Sequence, residues 1–126
     1  PYITASDAAL NQLYRARYPR TCHMKFSLGV PFTERFFQLA LSDPQQPAGY
    51  LGLITTNSFM KREFGSKLIE EYLPRQDLTH VIDTSGAYIP GHGTPTVILF
   101  GRHRPPVGSH VRAVLGIGGE PSAPED

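Results

Sequence analysis

The 126-residue chain has one cysteine, a net charge of only +1, and no apolar run near the roughly 20 residues that span a bilayer. A single thiol, Cys22, excludes an internal disulfide framework and fits a reducing compartment, so a cytoplasmic location is expected. The N-terminal stretch lacks the charged and apolar regions of a signal peptide, and a soluble protein with no membrane partner is expected. Near-neutral charge means that no overall positive field advertises nucleic-acid binding. A local cluster, Arg15, Arg17, Arg20, His23 and Lys25, can still meet phosphates, or can simply form a solvated face. His23, His80, His92, His103 and His110 have no recognised metal-ligand spacing, which speaks against a zinc site. Phosphate loop, nucleophile elbow and glycine fingerprint after a strand are all missing.

What is present is the composition of a globular protein, 40% apolar and 18% charged, with 12 prolines and 12 glycines that imply many turns. The length suits one domain with one core. Asp7 can cap a helix over Ala8 to Arg17, whose apolar positions Leu10, Leu13 and Tyr14 recur at three- and four-residue steps. A second helix can start at Pro31, with Phe32, Phe36, Leu39 and Ala40 as its expected buried stripe. Turn chemistry from Ser42 to Gly49 leads into a strand, Tyr50 to Thr55. A helical stretch follows through Phe59 to Phe64, is interrupted at Gly65, and runs on to Pro74. Leu78 to Asp83 and Thr96 to Phe100 read as further strands. Glycines and prolines forbid a helix between those two, so they should pair antiparallel. The expected fold is α/β, a mixed sheet with one antiparallel edge strand. From Arg102 onward only Val111 to Leu115 hints at structure, and the region is expected to be a tail without a partner. The start at Pro1 and the end in Glu120 to Asp126 both read as cut.

Open α/β sheets bind ligands at the C-terminal ends of their strands, so the loops there are the place to seek chemistry. Pro1-Tyr2 offers a rigid aromatic surface for a flat ring, or an ordinary buried tyrosine. Thr55-Thr56-Asn57-Ser58 can cap the next helix or contact a ligand, and Asn57 carries paired donor and acceptor groups. Gly86 to Pro95, with His92 between two glycines, is long for a hairpin and reads equally as a mobile loop or a functional one.

Two runs, GYLGLITTNSFMKREFGSKLIEEYLP and DLTHVIDTSGAYIPGHGTPTVILFGRHR, closely resemble the adenine-specific DNA methyltransferases of bacterial phage-defence systems. These are of the phage growth limitation or BREX type and are related to restriction-modification methylases. The resemblance implies the C-terminal half of a Rossmann-like, S-adenosyl-L-methionine-dependent methyltransferase domain over residues 1–104, with residues 105–126 beginning a following region. It implies that Pro1 and Tyr2 are the last two residues of the Asn-Pro-Pro-Tyr target motif, with Tyr2 stacking on a flipped adenine. It places Phe32 against the adenine of the cofactor, and assigns Asn57, His92, Gly93, Thr94 and Pro95 to the base pocket. The implied partners are double-stranded DNA and other phage-defence proteins.

The glycine-rich cofactor motif and the ribose-binding acid of such enzymes are not found here. Flipping a base costs a few kcal/mol and one aromatic stack returns about 1–3 kcal/mol, so the chain alone is expected to be inactive. A non-catalytic nucleic-acid-binding or interaction module on the same fold stays open as the alternative. A small hydrolase using His92 and Asp83 lacks a recognisable nucleophile.

Overall fold

In the computed structural model the described residues are 7–86 and 93–117. Helix α1 spans Ala8–Arg17, and the Asp7 carboxylate caps it by accepting from the Ala9 N–H at 2.7 Å. Arg15 and Arg17 in its last turn complement the negative end of the helix dipole. Its periodicity marks a helix but not a buried face. No residue of α1 is buried and Leu13 is 62% exposed, while Tyr14 and Tyr18 lean against the core.

Helix α2, Gly29–Leu39, starts two residues before the expected Pro31. The expected buried stripe is wrong in phase. Val30, Thr33, Glu34 and Phe37 face inward, whereas Phe32, Phe36 and Leu39 are exposed and Ala40 is half-buried. Both stripes satisfy a helical period, and burying the first aligns Phe37 with Gly101 of the sheet. A Cβ on Gly101 would lie 2.8 Å from the Phe37 ring, so glycine there lets the helix sit directly on the strand.

Strand β1 is Tyr50–Thr56, β2 is Asp77–Gly86, β3 is Thr96–Arg102 and β4 is Arg112–Ile117. They form one mixed sheet in the order β1-β3-β2-β4. The pairing of β2 with β3 is antiparallel, as the short connection requires. The reversed strand is not at an edge, however: β3 also pairs antiparallel with β1 and so lies inside the sheet. Its unbroken Thr96-Val97-Ile98-Leu99-Phe100 run suits a strand paired on both sides. The stretch expected to be a tail without a partner is β4, which pairs parallel with β2.

Between β1 and β2 the chain breaks at Gly65 as expected, but neither side of the break is a regular α-helix. It forms 3-10 turns at Asn57–Met60 and Glu63–Gly65, a π-helical turn at Lys67–Tyr72 and a further 3-10 turn at Leu73–Arg75. Gly65 packs against the Phe59 backbone so closely that a Cβ would lie 1.9 Å from the Phe59 carbonyl oxygen, which excludes a smooth helix through this point. Phe59, Leu68, Tyr72 and Leu73 from this segment join Val30 and Phe37 of α2 and cover one sheet face, built from Leu53, Val97 and Leu99. Burial of each large apolar side chain contributes roughly 1.5–3 kcal/mol.

Candidate functional site

Because β1, β2 and β4 run one way and β3 the other, the ends of three strands meet the start of the fourth at a single sheet edge. The register places Thr56 beside Thr96, Asp83 beside Val97 and Leu115, and Gly86 beside Ile117. The Thr84 and Thr96 hydroxyls are 2.6 Å apart, joining the exit of β2 to the entry of β3. The Asn57 N–H donates to the Pro95 carbonyl at 3.1 Å and joins the exit of β1 to the same loop.

Thr56, not Asn57, caps the turn that follows β1, accepting from the Ser58 N–H at 3.3 Å. Asn57 is only 4% exposed. The neighbouring Thr55 hydroxyl is buried without a hydrogen-bond partner among the described residues. Gly93, Thr94 and Pro95 are exposed. Asp83 accepts from the Ser85 N–H at 2.8 Å, and the Ser85 hydroxyl and N–H together hold its carboxyl below the usual range, so it stays an anion.

The structure therefore brings Asn57 and Pro95 together, with Gly93 and Thr94 on the same approach to β3. Phe32 lies on α2, 39% exposed, beside Phe36. Pro1, Tyr2 and His92 lie outside the described residues. Sequence reasoning did not single out Thr84, whose one signal was its place at the end of a strand opposite another threonine.

A second polar cluster lies under the connection of α1 to α2. Glu34 is 1% exposed, and its carboxyl accepts from Gln38 Nε2 at 3.2 Å. Burial raises its pKa against the lowering effects of the Thr21 hydroxyl, Arg20 and Gln38. Its other oxygen, the Thr21 hydroxyl and the Ser27 hydroxyl have no well-formed hydrogen bond among the described residues, although Thr21 lies close enough to act on the carboxyl. Burial first, and Glu34 second, push the Cys22 thiol up to about 11, so it is no nucleophile at neutral pH.

An apolar cavity of about 460 Å³ opens between the 57–75 segment and the loop before β4, lined by Phe59, Leu73, Leu78, Val81, Leu99 and Val111 among others. Phe32, Asn57, Gly93, Thr94 and Pro95, the described candidate site residues, do not line it. Among the described residues there is no cluster of metal-ligating side chains, and no helix is long and apolar enough to cross a membrane.

No protein-family profile matches the chain. Against curated proteins, it is 56% identical over 131 aligned positions to the adenine-specific methyltransferase PglX of Streptomyces coelicolor, an alignment that takes in 100% of this chain. Over its whole length the chain is thus similar to one stretch of PglX. It spans 11% of the length of that relative, so the likeness concerns one stretch of a much longer protein.

Proposed function

We propose that the chain is part of an adenine-specific DNA methyltransferase and supplies part of its base pocket. The observation that carries this reading is the 56% identity to PglX along the whole chain. The convergence of Asn57, Pro95, Thr84 and Thr96 at one sheet edge supports it, since ligands of open α/β sheets bind at the ends of their strands. In this reading β1 and β3 are the fifth and seventh strands of the C-terminal half of a Rossmann-like domain over residues 1–104. Residues 105–126 begin the region that follows and lend β4 to the sheet. Pro1 and Tyr2 close the target motif. Tyr2 stacks on the extruded adenine, and Gly93, Thr94 and Pro95, with His92, border it. Double-stranded DNA is the substrate, and phage defence together with other proteins of such a system is the setting.

S-adenosyl-L-methionine, when bound, supplies the methyl group that passes to the exocyclic amine of adenine. The exposed ring of Phe32, with Phe36 beside it, fits a role in packing on the cofactor's adenine. Phe32 is the one described residue assigned to the cofactor, so the 126 residues alone are expected to transfer no methyl groups.

The test is a segment exchange, in which the matching stretch of PglX is replaced by this chain and methylation of adenine in duplex DNA is measured. Retained methylation supports the reading. A folded hybrid that binds cofactor but does not methylate, where PglX does, favours a non-catalytic module and overturns it. Within the active hybrid Tyr2→Ala is expected to lower kcat/KM roughly 10- to 100-fold, the loss of one base-aromatic stack.

A further inference from the structure

Positive charge is concentrated in a short part of the chain. Residues 7–28 contain Arg15, Arg17, Arg20 and Lys25 against one acid, Asp7. Lys67 joins them from the π-helical turn, its Nζ donating to the Pro19 carbonyl at 3.5 Å. Arg15 is committed to structure. It donates to Asn11 and to the Met24 carbonyl, and its guanidinium lies 5.2 Å from the Phe26 ring centre. Arg17, Arg20 and Lys25 are exposed. The one ion pair among the described residues is Arg104 with Asp77, so none of these three cations forms one there, although Arg20 lies 5.0 Å from the Tyr72 ring centre. The nearest buried acid, Glu34, has its ionisation disfavoured by burial and favoured by Arg20.

The connection that carries this charge is firmly built. Thr21, Cys22, Phe26 and Ser27 are buried and anchor it. At its tip Met24 has φ of 53°, a left-handed conformation that costs a non-glycine residue roughly 1–2 kcal/mol, and its side chain is 48% exposed. Backbone strain of this kind clusters at functional sites, and here it displays an apolar side chain next to Lys25.

We propose that the exposed side of the α1–α2 connection, with Arg17, Arg20, Lys25 and Lys67 around the Met24 tip, is a docking surface for the phosphate backbone of duplex DNA. The inference rests on the methyltransferase reading for its choice of polyanion, and on the charge and the built loop for its location. Phosphate contact is favoured over a solvated face because none of the four forms an ion pair among the described residues, Arg17, Arg20 and Lys25 are exposed, and Lys67 belongs to the 57–75 segment that begins at Asn57.

The test is the salt dependence of duplex-DNA binding by the 126-residue chain, read by fluorescence anisotropy. Each phosphate contact contributes about 0.9 to the slope of log affinity against log salt. Arg17→Gln with Lys25→Gln, neither of which makes a hydrogen bond among the described residues, is expected to flatten the slope by about 2. Arg35→Gln with Arg75→Gln, the same charge loss on exposed residues elsewhere, is expected to leave it unchanged. Equal effects of the two pairs, no DNA binding by the folded chain, or equally tight binding of polyglutamate would each overturn the proposal. The methyltransferase reading is judged separately. A methylating segment hybrid whose salt slope ignores Arg17 and Lys25 refutes the docking surface alone, and a charge-dependent slope with an inactive hybrid refutes the catalytic reading alone.

Discussion

At the scale of single residues, the least expected feature is a carboxyl in the core. Glu34 sits between α2 and the 57–75 segment, where Tyr72 donates to its backbone carbonyl at 3.3 Å and burial followed by Glu34 pushes the Tyr72 hydroxyl up to about 12. Because the Glu34 pKa is raised on folding, its neutral form is the one the fold accepts. The stability linked to that form is complete below the ordinary carboxyl pKa and is lost as pH rises through the raised one. Glu34→Gln, which is neutral at every pH and keeps a group for Gln38 to bond, should therefore be more stable than the parent, by a margin that widens as pH rises. Urea midpoints of both proteins from acid to neutral pH measure this, and parallel curves would sink it. Sequence alone hides such a residue, because Glu34 occupies the polar side of the helix stripe that Phe32, Phe36 and Leu39 suggest. The close fit of the Phe37 ring over Gly101 on β3 goes with the side that turns inward.

At the scale of elements, strands were more legible than helical faces. A strand announces itself by β-branched and apolar content, and β1 and β3 extend only one or two residues beyond their expected limits. Their order was not legible. Local connection length requires that β2 and β3 pair, but whether β3 also pairs with β1 depends on a contact over roughly forty residues of chain, which no local pattern encodes. The site shares this limit: Asn57 and Pro95 were each suspected, yet the hydrogen bond between them follows from that order. The 57–75 segment departs from a regular helix where Gly65 packs on the Phe59 carbonyl. Gly65→Ala forces backbone against backbone, where no side chain can rotate away, and is expected to cost about 3 kcal/mol. Gly93→Ala, with nothing within 4 Å of the added carbon, should stay within about 0.5 kcal/mol. Chemical unfolding of the two variants compares them directly, and equal losses would contradict the packing described.

At the scale of the whole molecule, the described residues cover only one face of the sheet. The other presents Ile54, Phe100 and Val114, each more than a third exposed, with Tyr50 at 76%. By register, Gly52 and Ile98 share this face with them. On α2 a separate stripe of Phe32, Phe36 and Leu39 is open as well. Soluble monomers seldom leave contiguous apolar patches beyond about 300–600 Å², because water drives such faces together. Two apolar faces on a chain of this size therefore predict that the isolated polypeptide associates. Sedimentation velocity should show a weight-average mass that rises with concentration. Ile54→Lys with Val114→Lys should reduce that rise at little cost to folding, since both side chains already reach solvent, whereas Leu53→Lys on the covered face should unfold the chain. A parent that remains monomeric at every concentration would mean that the open faces are tolerated as they stand, and would remove the reason to expect further polypeptide against them.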